Sequence, residues 1–160
     1  MGIYLNPENI DFQEVLNSKI YVDKSELIQY TNSVLRTTQK YICVSRPRRF
    51  GKSMAANMLT AYYSRGCDSR ELFQGLKIAT HPDFEKHLNQ YNVIHLNMRD
   101  YLTESENMKQ LIQFVEDDLL DELQQEFSDL RMPRRKTLVK VLEQAFVQYK
   151  IPFVFIIDEW

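Results

Sequence analysis

Lys40-Tyr41-Ile42-Cys43-Val44-Ser45-Arg46-Pro47-Arg48-Arg49-Phe50-Gly51-Lys52-Ser53 decides the reading of this chain. Its first six residues are β-rich and short, which predicts a buried strand over 40–45 with Cys43 in the core. Gly51-Lys52-Ser53 matches the end of the pattern G-x-x-x-x-G-K-[ST], a loop that cradles phosphates between a strand and a helix. Arg46 stands where that pattern has its first glycine. A helix is predicted over about 52–64, because Ala55, Met58, Leu59 and Tyr62 recur at helical spacing, with Gly66 as its stop. The bland alternative is a surface loop that happens to contain the tripeptide. Strand, loop and helix in the right order favour the phosphate reading. Only four glycines occur in the chain, so one falling in this loop carries more weight.

The residue types suit the chemistry. Gly51 lets backbone N–H groups approach a phosphate with no side chain intervening. Those groups stand at a helix N-terminus, whose dipole favours an anion. Lys52 is expected to reach the β- and γ-phosphates, and Ser53 to ligate Mg²⁺ through its hydroxyl. Arg46, Arg48 and Arg49 add positive charge, directed at phosphate, at a neighbouring acidic surface or only at solvent. The candidate nucleotide-binding residues are therefore Arg48, Arg49, Phe50, Gly51, Lys52 and Ser53.

Further along, Pro152-Phe153-Val154-Phe155-Ile156-Ile157 is too short for a helix and reads as a central strand of a parallel sheet. Asp158-Glu159 follows it, at the carboxyl end of the strand where ligands bind in open α/β sheets. Asp158 fits a Walker B acid that holds Mg²⁺, and Glu159 a general base that polarises the attacking water. The bland reading is a strand that ends in two solvated acids.

Residues 92–98 (NVIHLNM) predict another strand. Met108, Leu111, Ile112, Val115, Leu119, Leu123 and Phe127 trace one helical stripe, and Leu138, Val141, Leu142, Ala145, Phe146 and Tyr149 a second. Pro133 separates them. Asp23 and Glu26 are spaced as a capping box opening a helix. Alternating strands and helices give an α/β fold.

Composition narrows the function classes. The net charge is −2 over 160 residues, which gives no global basic field for nucleic acid. The two cysteines have no metal spacing and make a poor disulfide framework, so a reducing, cytoplasmic setting is expected. No apolar run approaches the ~20 residues of a membrane span, and residues 1–11 do not read as a signal peptide. The basic run at 131–136 reads as a solvated inter-helix turn rather than a nucleic-acid contact. Glu116, Asp117, Asp118, Asp121 and Glu122 read as a solvent face, Cys67 as a loop thiol and His95 as structural.

Residues 21–28 (YVDKSELI), 45–53 (SRPRRFGKS) and 155–159 (FIIDE) together resemble the bacterial and archaeal AAA-ATPase-like family, over nearly the whole chain. Arginine in place of the first glycine is that family's own variant, so Arg46 fits it. Trp160 stands where tyrosine is usual. The resemblance implies a P-loop NTPase-like parallel sheet flanked by helices, with ATP on the loop ending in Gly51-Lys52-Ser53, Mg²⁺ on Ser53 and Asp158, and Glu159 activating water. It leaves Val22-Asp23-Lys24 either shaping the base pocket or only starting a helix.

The resemblance also implies a later strand, carrying a polar sensor residue, between the loop strand and the 153–157 strand. Members often carry a PD-(D/E)xK nuclease-like domain toward the C-terminus. Residues 1–160 are therefore expected to be the N-terminal part of one P-loop domain, incomplete at the C-terminus after the Walker B strand, with sheet edges prone to self-association. The expected function is ATP binding, with Mg²⁺-dependent hydrolysis in the complete protein. The alternatives are a nucleotide-sensing or interaction module without turnover, and the ATPase part of a nuclease-associated DNA-processing protein. Any nucleic-acid contact would lie in the missing region.

Overall fold

The computed structural model describes residues 2–45, 47 and 49–159. Its centre is a parallel pair of strands, β1 (Asn92–Asn97) and β2 (Phe153–Asp158). The register runs from Asn92 opposite Phe153 to Asn97 opposite Asp158. The other edge of β1 is taken by the N-terminal segment: the Asn6 amide donates to Val93 O at 2.7 Å, and the His95 amide to Tyr4 O at 2.9 Å. Among the described residues no strand pairs with the other edge of β2.

Side chains alternate across the pleat, so the sheet offers two faces. Val93, Val154 and Ile156 pack on one side. They meet α3 (Lys52–Tyr63), backed by α1 (Ile10–Leu16) and α2 (Glu26–Val34). The short helices α4 (Arg70–Phe73) and α5 (Phe84–His87), with a 3-10 turn at Lys77–Thr80, close this core around Tyr62, Tyr63 and Phe73. Ile94, Leu96 and Phe153 pack on the other side, against α6 (Met98–Glu104), α7 (Met108–Glu126) and α8 (Leu138–Tyr149). A parallel sheet between helical layers is an α/β arrangement, as the alternating pattern predicts.

The predicted strand over 40–45 does not form. These residues have no regular structure and are exposed; Tyr41 is 84% accessible. β-propensity describes fit to a pleated, half-buried surface, and among the described residues no strand pairs with this segment to supply one. Cys43 is accordingly exposed, not core. It follows that residues 40–45 and β2 do not pair directly.

Three smaller expectations also change. Asp23 and Glu26 do not make a capping box, since Ser25 is the cap residue of α2 and no side chain caps it. Gly66 does not stop α3, which ends at Tyr63. Its hydrogen side lies against the chain instead: a Cβ there would fall 2.3 Å from Asn6 O, so no side chain fits. The acidic face of α7 is only partly solvated. Asp117 and Asp121 are exposed. Glu122 turns inward, and its carboxylate accepts from the amides of Ile3 (2.7 Å), Tyr4 (3.0 Å) and Leu5 (2.6 Å). Asp118 accepts from the Tyr101 hydroxyl at 2.8 Å.

Candidate functional site

The candidate site forms where α3 begins. Gly51 precedes the helix with φ +73° and ψ +37°, a left-handed conformation that glycine adopts without steric penalty. The turn delivers Lys52 and Ser53 as the first two residues of α3, where the first-turn N–H groups and the helix dipole favour an anion. Arg49, two residues earlier, also has a positive φ of 68°.

β2 brings the acids to the same place. Asp158 ends the strand half-buried, and it shares the face of Val154 and Ile156, which meets α3. Glu159 follows in a left-handed conformation at φ 55°, with its amide donating to Asp158 Oδ1 at 3.0 Å. A residue with a bulky side chain pays strain for that conformation, and such strain clusters at functional sites. A cleft of about 670 Å³ is lined by Lys52, Ser53, Arg49, Glu159 and also Arg99 and Leu102. Residues more than a hundred positions apart thus line one cavity.

Arg99 escaped the sequence reading. It lies in the first turn of α6, immediately after the carboxyl end of β1, and its amide donates to the Asn97 side chain at 3.2 Å. A cation just past a parallel strand's carboxyl end was the available signal. Beneath the site, His95 Nδ1 lies 3.1 Å from Thr60 Oγ1. Burial depresses the His95 pKa and outweighs the pull of Asp158 and Asp11.

A second cleft, of about 330 Å³, adjoins the first. Ile20, Tyr21 and Val22 line it together with Met54, Ala55 and Met58. Lys24 spans from this segment to the loop, where its ammonium donates to Phe50 O at 2.7 Å. Asp23 anchors the segment from behind: its carboxylate accepts from the Ser25 and Lys77 amides, each at 2.8 Å. Burial pushes the Asp23 pKa up, but these hydrogen bonds prevail and hold it below the usual carboxylate value.

A family model described as Predicted AAA-ATPase matches residues 10–160. The chain belongs to this AAA-ATPase-like family. No curated protein and no solved structure matches it. Membership suggests a nucleotide-binding, ATPase-like function for the protein.

For this AAA-ATPase-like chain, the expected site residues fall as follows. Arg49, Gly51, Lys52, Ser53 and Glu159 line the larger cleft. Phe50 and Gly51 line the smaller one, and Phe50 is 59% exposed. Asp158 stands beside Glu159 at the end of β2 but does not line either cleft. Arg46, Arg48 and Trp160 lie outside the described residues. Among the described residues no group of three His, Cys, Asp or Glu side chains is placed to hold a metal ion. No helix there is long and apolar enough to cross a membrane.

Proposed function

We propose that the larger cleft binds ATP with Mg²⁺ and that the protein hydrolyses it. The observation that carries this reading is the convergence of Lys52 and Ser53, at the start of α3, with Glu159 on one cavity. Family membership supports the nucleotide.

The chain's own groups divide the work. Backbone N–H groups at the start of α3 hold phosphate oxygens, and the helix dipole adds to their pull. Lys52 and Arg49 neutralise the phosphate charge, with Arg99 on the opposite side of the sequence adding a third cation. Glu159, which lines the cleft, accepts a proton from the attacking water. Asp158 and the Ser53 hydroxyl are hard oxygen donors, the ligand type that Mg²⁺ prefers with most of its remaining positions filled by water and phosphate. Mg²⁺ bound there would supply charge neutralisation for the triphosphate.

Two substitutions test the reading. Lys52→Ala is expected to abolish ATP binding, while Glu159→Gln is expected to keep binding and stop phosphate release. An unchanged affinity in Lys52→Ala would overturn the assignment of the loop. Binding without phosphate release in wild type, including in a longer chain, would instead favour a sensing module without turnover. A role in driving a nuclease-like domain rests on family architecture and is tested only in a chain that carries such a domain.

A further inference from the structure

We propose that Lys24 is a positioning residue for the phosphate loop: its ammonium holds the Phe50–Gly51 peptide so that the Gly51 N–H is turned toward the anion. The inference rests on the nucleotide reading above and names a group that acts on that site from outside it.

The Lys24 ammonium donates to Phe50 O at 2.7 Å. A peptide unit is planar and trans, so its C=O and N–H point in opposite directions. Fixing the Phe50 carbonyl toward Lys24 therefore fixes the Gly51 N–H away from it. Among the described residues that N–H meets no acceptor, while one turn later the Ala55 amide is already bonded to Gly51 O at 3.1 Å. Handedness alternates along the same stretch: Arg49 has φ 68° and Gly51 φ 73°, and Phe50 between them is not left-handed. Such alternation turns successive N–H groups into one concavity that suits an anion. A non-glycine residue such as Arg49 keeps a left-handed backbone only when its surroundings hold it there. The bond from Lys24 is such a hold, made at the next residue.

Lys24 is placed to act on the loop rather than on a phosphate. It lines the smaller cleft and not the larger one, where Lys52, Ser53 and Arg99 gather. Its own backbone is anchored on both sides. Asp23 accepts from the Lys77 amide at 2.8 Å, and the fully buried Ser25 accepts through its hydroxyl from the Ile78 amide at 3.1 Å. The lysine side chain thus bridges from a fixed segment to a loop that carries two left-handed residues. A loop held in its binding conformation before the ligand arrives spares the entropy of ordering it on binding.

Titrations of the intact chain with Mg²⁺ and ATP at several salt concentrations, on wild type, Lys24→Met and Lys24→Arg, test this. Lys24 is exposed, so neither variant disturbs the core. Lys24→Met keeps most of the side chain but loses the donor, and it is expected to weaken binding about tenfold, the scale of one charge-assisted hydrogen bond. Lys24→Arg keeps a donor and is expected to stay close to wild type. A cation that touches phosphate adds to the salt dependence of binding, so Lys24→Met is expected to keep the wild-type dependence. In amide spectra of the ligand-free chain it is expected to move the Gly51 signal and leave those of Lys77 and Ile78 in place. Wild-type affinity in Lys24→Met would overturn the proposal while leaving the nucleotide site standing. A flatter salt dependence would put Lys24 on the phosphate itself and overturn it too. Movement at Lys77 and Ile78 would overturn it by showing that the variant had lost the segment rather than the loop. So would a Lys24→Arg chain as weak as Lys24→Met. Failure of wild type to bind ATP would overturn the nucleotide reading itself, and the role of Lys24 with it.

Discussion

Replacing Gly51 by alanine perturbs one backbone torsion at the point where the candidate site is made. Gly51 holds φ +73° and ψ +37°, and an L-residue in that region meets its own carbonyl, at a cost of about 1–2 kcal/mol. The added Cβ would also fall 2.9 Å from the Lys24 ammonium, but that contact is the far end of a flexible side chain and can shift. Shifting it weakens the bond from Lys24 to Phe50 O. The penalty therefore acts on the loop, which can relax by leaving its binding conformation. A binding-competent state disfavoured by 1–2 kcal/mol lowers apparent affinity by about 5- to 30-fold. Gly51→Asn should lose less, since asparagine tolerates left-handed torsions better than alanine does. The assay is a fluorescent-nucleotide titration on both variants, with thermal unfolding run alongside. Wild-type affinity in Gly51→Ala, or an asparagine variant as weak as the alanine one, would refute the link between this torsion and binding.

Three further predictions concern the frame around the site. Burial depresses the pKa values of His95 and His87 below the ordinary 6.5, so the folded state favours their neutral forms. Their contribution is fully present above pH 6.5 and is lost as pH falls from there through the folded values; His95→Gln should flatten that part of a stability–pH profile measured by denaturant unfolding. Glu122→Gln should destabilise the chain by about 1–3 kcal/mol, because the carboxylate accepts from three consecutive backbone amides, and hydrogen exchange at the Asn6 and His95 amides should quicken together. Phe155 and Ile157 stand half exposed on β2, whose outer edge is unpaired among the described residues, so the chain should self-associate with concentration, and Ile157→Lys should reduce this in sedimentation velocity.

The long periodic elements were readable from the residues alone. The stripes through Leu111–Leu119–Leu123 and through Val141–Ala145 fold as α7 and α8, and residues 92–97 and 153–158 form the two strands. Even there, Met108, Ile112 and Phe146 belong to the stripes yet remain exposed, because a period fixes a face and not what covers it. The segment 40–45 failed for a related reason: its residues favour a strand, but pairing is a property of two edges. Helices α1, α4, α5 and α6 are at most two turns long, too short to display a period.

In the site, Gly51, Lys52, Ser53 and Glu159 were each legible from local pattern, while their meeting in one cleft depends on tertiary packing. Arg99 is marked in the sequence only by its place after a strand, a weak signal beside a motif. The inward turn of Glu122 leaves no trace in the sequence, because its partners, the amides of residues 3–5, have no side-chain signature.

Amide chemical-shift mapping of the chain during titration with Mg²⁺ and ATP tests the central claim most directly. The account predicts saturable shifts concentrated at Arg49, Gly51, Lys52, Ser53, Arg99 and Glu159, the residues that share the larger cleft. Saturable shifts elsewhere that leave Gly51–Lys52–Ser53 unmoved, or no saturable shifts at all, would contradict it.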